Sequence, residues 1–163
     1  MYIGTTRFTN NTWQELQIFK NENNVSDCIY GFPVRLPDKI CLKKNIFIIE
    51  MNNDTNKIMG VGIIKNWLYT RQCRIYRDRN YNRYIYRGKP YITREEMLQL
   101  HNNDGEKMVE CLEKLLFKGY QHLKRGQSVT EFTDIKKYYF EQTTSQNMTQ
   151  YLLTMFEKKY VIK

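Results

Sequence analysis

The sequence predicts one α+β domain spanning residues 1–163, and three observations carry that prediction. Residues 45–66, NIFIIEMNNDTNKIMGVGIIKN, hold two apolar, β-branched runs around a turn built from Asn, Asp and Thr, the pattern of a β-hairpin. The C-terminal half instead repeats apolar residues at helical spacing. At 163 residues, with 41% hydrophobic and 26% charged, the chain has the material for one real core. There is no internal repeat, linker or low-complexity tail to divide it.

In chain order, Asn11-Thr12-Trp13-Gln14-Glu15 has the spacing of a capping box, with Thr12 three residues before Glu15. Trp13, Leu16 and Phe19 follow at helical intervals, which predicts a short helix to about Lys20. The polar stretch 21–27 reads as a loop. In CIYGFPVRLPDKI, Pro33 and Pro37 exclude a central strand or a helix interior, leaving two short edge strands at Cys28–Tyr30 and Val34–Leu36. The hairpin strands are Ile46–Met51 and Ile58–Ile64. The unbroken run Ile46-Phe47-Ile48-Ile49 predicts a strand covered on both faces. Gly60 and Gly62 alternate in its partner, where glycine weakens a strand unless something comes close or the sheet bends.

A second hairpin is expected from Arg74–Asp78 and Arg83–Arg87 around Arg79-Asn80-Tyr81-Asn82. Strand alternation then puts Arg83, Ile85 and Arg87 on one face and Tyr84 and Tyr86 on the other, with the tyrosines toward the core and the arginines toward water. Thr93 precedes a helix with Glu95 and Glu96 in its first turn, broken at Asn102-Asn103-Asp104-Gly105. Met108, Cys111, Leu112, Leu115 and Leu116 mark the next helix, to about Lys118. In HLKRGQ, Lys124 and Arg125 suit a helix C-terminus with Gly126 as its left-handed cap. Ser145 or Thr144 then caps a last helix that turns Met148, Tyr151, Leu152, Met155 and Phe156 inward.

Charge narrows the function. The net charge is +9, and residues 71–94 contain eight cations against one acid, Asp78. Such a concentration predicts a surface for a polyanion. The four cysteines form no CxxC pair, and His101 and His122 have no second ligand at metal spacing, so neither a metal nor another cofactor is expected. A cluster of Glu50, Asp54 and Asp38, or a nucleophile pair of Cys28 or Cys111 with His122, is weakly supported, and there is no phosphate-cradling glycine loop or nucleophile elbow. The sequence predicts no enzyme. The opening MYIGTTRFTN is polar and no apolar run is long enough to span a bilayer, so neither a signal peptide nor a membrane partner is expected.

The pattern of residues 29–66, with Ile46–Met51 followed by Ile58–Ile64 and its Gly60 and Gly62, resembles the PUA-like superfamily, which includes EVE, ASCH and YTH-type domains. That resemblance implies a small open β-barrel with flanking helices whose mouth holds a nucleobase. The segments EMNNDTNKIMGVGIIKN, YNRYIYRGK and HLKRGQ also resemble small proteins of giant DNA viruses, in keeping with an alphabet rich in Asn, Lys, Ile and Tyr. The implied location is the virion or the viral factory in the host cytoplasm.

These readings combine into an expected non-catalytic nucleic-acid-binding module for DNA or RNA. Arg74, Arg77, Arg79, Arg83, Arg87, His122, Lys124 and Arg125 are the candidate phosphate contacts. Trp67, Tyr76, Tyr84 and Tyr86 are the candidates for stacking on bases or lining a pocket. The alternative is a virion or scaffold component whose basic face docks an acidic protein partner.

Overall fold

The computed structural model of the protein describes residues 1–99 and 104–161; His101 and the helix break expected at Asn102 and Asn103 lie outside them. The elements are β1 (Tyr2–Phe8), α1 (Asn10–Glu22), β2 (Cys28–Phe32), β3 (Asn45–Asn52), β4 (Lys57–Lys65), β5 (Tyr84–Gly88), β6 (Tyr91–Thr93), α2 (Arg94–Gln99), α3 (Gly105–Phe117), β7 (Thr130–Glu131), α4 (Asp134–Thr144) and α5 (Met148–Val161). The architecture is α+β. Five strands form one sheet in the order β6-β4-β3-β1-β7, and β2 pairs with β5 in a separate ribbon. The hydrogen-bonded ladders among the described residues leave the sheet open.

The expected hairpin is the centre of this sheet. β3 and β4 are antiparallel, from Asn45↔Lys65 to Asn52↔Lys57. β3 is indeed covered on both sides. Phe47, Ile49 and Met51 join a core with Met97 of α2, Leu112 and Leu116 of α3, Phe140 of α4 and Leu152 and Met155 of α5. Ile46 and Ile48 face the opposite core, with Leu16 of α1, Tyr30 of β2 and Ile85 and Tyr86 of β5. Two apolar layers on one strand explain its unbroken Ile-Phe-Ile-Ile run. β1 lies parallel to β3, from Tyr2↔Ile46 to Phe8↔Asn52. The chain makes that parallel connection through α1 and β2.

Several expectations change. α1 begins earlier, because Thr9 is its cap. Thr9 and Thr12 exchange the two capping-box hydrogen bonds, so Thr12 is the third helical residue. The segment Val34–Leu36 forms no strand; the Leu36 amide donates instead to the Tyr86 hydroxyl at 3.2 Å. The second hairpin is replaced by β2 paired with β5, from Cys28↔Gly88 to Phe32↔Tyr84. Residues 74–78 are a loop because the Asn82 side chain satisfies their backbone. Its Oδ1 accepts from the amides of Ile75 and Tyr76 at 2.8 and 3.0 Å, and its Nδ2 donates to the carbonyls of Tyr76 and Asp78. Both faces of β5 are covered, so Ile85 is buried as well as Tyr86.

The C-terminal part also differs in detail. α3 ends at Phe117, so Lys124 and Arg125 lie in a loop beyond its C-terminus. Gly126 does take a positive φ, 138°, in that loop. Ser145 closes α4 in the left-handed conformation, and the Asn147 side chain caps α5 by accepting from the amides of Thr149 and Gln150. The inward face of α5 is as expected, with Met148, Tyr151, Leu152, Met155 and Phe156 all buried.

The two β4 glycines exist for close approach. A Cβ on Gly62 would stand 2.4 Å from the Tyr30 hydroxyl and 2.7 Å from the Cys28 Sγ, and one on Gly60 would stand 2.7 Å from the Tyr91 hydroxyl. Gly62→Ala should therefore lower stability by about 1–3 kcal/mol through overpacking, measured as a lower denaturant midpoint at unchanged slope. An unchanged midpoint would mean that the glycines serve another purpose.

Candidate nucleic-acid interface

At the end of the sheet where β4 runs out, the backbone is stitched to the start of β3. Asn66 is buried; its side chain donates to the Ile40 carbonyl at 2.6 Å, its amide donates to the Lys44 carbonyl, and its own carbonyl accepts from the Lys43 amide. Trp67 therefore emerges at the rim, 56% exposed, with the Lys43 ammonium 5.0 Å from its ring centroid. Two residues on, the Tyr69 amide donates to the Ile85 carbonyl of β5 at 2.8 Å, which pins the segment beside the ribbon.

A cleft of about 1130 Å³ opens between these elements. Its charged lining is Lys43, Lys65, Arg71, Arg87, Lys89 and Asp27, and Trp67 and Tyr69 supply its rings. An adjoining hollow of about 530 Å³ shares Leu68, Tyr69, Thr70 and Arg71 and adds Arg74 and Arg83. The two form one channel with seven cations and a single acid, Asp27. That acid is already used: Arg87 Nη2 lies 2.9 Å from Asp27 Oδ2, and its Nη1 donates to the Tyr69 hydroxyl at 3.1 Å. Burial works against the Arg87 charge, but the bonds to Tyr69 and Asp27 outweigh it and hold the guanidinium above its ordinary value.

The candidate residues from the sequence are distributed unevenly. Arg74 and Arg83 are exposed in the channel and Trp67 stands at its rim. Arg87 lines it as a tied, half-buried side chain. Arg77 is exposed outside it, and its amide donates to Glu15 of α1 at 3.3 Å. Arg79 is exposed at the start of the 3-10 turn Arg79–Asn82. Tyr76 and Tyr86 are buried in the core, and Tyr84 is half-buried under Arg35. Lys43, Lys65, Arg71, Lys89 and Tyr69 belong to the channel without having been singled out from the sequence. The hairpin signal was there to place Lys65 and Lys43 at one sheet end.

The second basic segment sits elsewhere. The Lys124 ammonium donates to Asn56 Oδ1 at 2.9 Å, and the Lys124 carbonyl accepts from Asn53, both in the β3–β4 turn. His122 Nδ1 accepts from the Lys124 amide, and Arg125 is exposed. Arg7 holds this loop by donating to the Leu123 and Ser128 carbonyls and the Thr130 hydroxyl; burial draws its pKa down to about 10. The turn and Trp67 lie at opposite ends of the β3–β4 ladder, roughly 23 Å apart at about 3.3 Å per residue. The two basic segments thus do not share the channel.

The wall made by β5 is fixed from beneath. Glu50, 2% exposed, accepts hydrogen bonds from the Tyr30 hydroxyl of β2 at 2.9 Å and the Tyr91 hydroxyl of β6 at 2.8 Å. Cys28 donates its thiol to the Gly88 carbonyl at 3.0 Å, and Gly88 packs so tightly on β4 that a Cβ there would overlap the Ile63 carbonyl. Burial, with the Glu50 charge, pushes the Cys28 thiol up to about 12, which leaves it protonated and inert as a nucleophile. Glu50 itself stands apart from Asp54, which accepts from the Asn10 amide. No protein-family model, curated protein or solved structure matches this chain.

Burial pushes the Glu50 carboxyl from 4.5 up to about 7, against the opposing pull of the two tyrosine hydroxyls and of Lys20. Below pH 4.5 the group is protonated in both the folded and unfolded chain. Between 4.5 and about 7 the folded state keeps a proton that the unfolded state has lost, so its contribution to stability declines by about 3 kcal/mol as pH rises. The unfolding free energy of Glu50→Gln, minus that of the native chain, should therefore rise by about that amount between pH 4.5 and 7.5. A pH-independent difference would contradict the buried carboxyl.

Proposed function

We propose that this protein binds nucleic acid, without catalysis, in the channel beside Trp67. The observation that carries the proposal is the lining: seven cations face one groove whose single acid is neutralised internally. Phosphate contact requires mobile cations at a polyanion's spacing, and Lys65, Lys89, Arg71, Arg74 and Arg83 are all exposed. Arg87 is a framework residue in this reading, since it ties β5 to Tyr69 and Asp27. A PUA-like relationship is part of the proposal. It is supported by the glycine-bearing β4 and by the β2–β5 ribbon packed over it. A source among giant DNA viruses, with action at the viral factory or in the virion, rests on the sequence resemblance and the residue alphabet.

A second reading, a virion or scaffold component, draws support from α4, where Ile135, Tyr138 and Tyr139 stand exposed. It predicts recovery with structural proteins from purified particles and weak nucleic-acid binding.

Salt decides between them. If about five phosphates are contacted, the log–log slope of affinity against salt on duplex DNA is near −4. Lys65→Ala and Arg83→Ala should each make that slope shallower by roughly one unit and weaken binding alike on all sequences. Arg125→Ala should change neither. No binding at low salt would remove the proposal.

A further inference from the structure

The channel carries more than charge. Trp67 and Tyr69 both line it, two residues apart in the chain, and each ring has its own cation: Lys43 Nζ lies 5.0 Å from the Trp67 centroid and the Arg87 guanidinium 5.5 Å from that of Tyr69. A duplex needs none of this, because its base faces are already stacked on one another and only its phosphates are offered to a groove of lysines and arginines. An indole left more than half exposed among cations is costly in water and becomes useful where an unpaired base covers it.

Resting on the nucleic-acid reading, we infer that the channel selects single strands, with one base stacking on Trp67, a neighbouring base on Tyr69, and the strand's phosphates on the flanking Lys65, Arg71 and Lys89. Tyr69 is suited to this by its mounting. Its amide is held by Ile85, its hydroxyl accepts from Arg87 Nη1, and part of its ring packs on the core beneath, so the ring is set in place before a base arrives. Trp67, held at the backbone by the Lys65 carbonyl, has the freer ring. Stacking is tolerant of sequence because every base has a π-face, so the inference predicts strand selectivity without strong sequence preference.

The test is fluorescence anisotropy with a labelled dT12 oligonucleotide and a labelled 12-base-pair duplex at matched salt. The native protein should bind dT12 at least about tenfold more tightly than the duplex. Trp67→Ala should weaken dT12 binding by roughly 5- to 100-fold, leave the salt slope unchanged and leave duplex binding unchanged. Tyr69→Leu should do the same. Because the Tyr69 ring also packs on the core, Trp67→Ala, at an exposed side chain, decides the matter if Tyr69→Leu proves unstable. Native-like dT12 binding by Trp67→Ala, or equal losses on both probes, overturns the stacking inference while leaving the basic channel standing. Absence of binding to either probe by the native protein removes both.

Discussion

Glu50 sits in the sheet with almost no contact with water, and its two oxygens are served by hydroxyls that come from different elements, Tyr30 on β2 and Tyr91 on β6. A buried carboxyl without such partners is expensive, and a hydrogen bond lost to it costs about 1–3 kcal/mol or more. The demand propagates. Tyrosine rings must lie over β4, so β4 has glycine at 60 and 62; the ribbon that carries Tyr30 must then cross β4 closely, so Gly88 meets the Ile63 carbonyl. The ladder between β3 and β4 shifts register next to Glu50, which is where a β-bulge re-aims a side chain.

The channel is a consequence of that packing. Once the ribbon is seated across β4, Arg87, Gly88 and Lys89 become one wall, and the end of β4 with Lys65 and Trp67 becomes the other. Segment 67–71 runs between them because Tyr69 bonds to Ile85. Cations that are far apart in sequence, Lys43 and Lys89 among them, meet there, while neighbours in sequence part company. Arg77 turns toward Glu15 of α1, and Arg79 sits on the 3-10 turn. A run of arginines along the chain thus becomes a groove only through the fold.

Local signals were legible where they were strong. The β3–β4 hairpin and the inward face of α5 follow from periodicity, and the double coverage of β3 from its unbroken apolar run. β1 was hidden because Gly4, Thr5 and Thr6 interrupt its apolar pattern, although Thr5 and Thr6 are buried. α4 was hidden by an outer face that keeps Ile135, Tyr138 and Tyr139 in solvent and blurs the stripe. The second hairpin failed on a side-chain effect: the four hydrogen bonds of Asn82 make a loop self-sufficient where alternation suggested a strand. The basic window pointed to the right kind of surface, but which cations share it depends on β2 pairing with β5, a long-range contact that no local pattern records. The 122–125 segment was grouped with the others on charge alone, and its place at the β3–β4 turn is set by Arg7 and Asn53.

The central claim is that nucleic acid lies in the channel at the Trp67 end of the sheet. Titrating isotope-labelled protein with dT12 and mapping amide and indole chemical-shift changes tests it most directly. The account predicts changes concentrated at Lys43, residues 65–74, Arg83 and residues 87–89, with the Trp67 indole among the largest and the 122–125 loop unmoved. Changes centred on residues 122–127, or on the exposed face of α4, would contradict it.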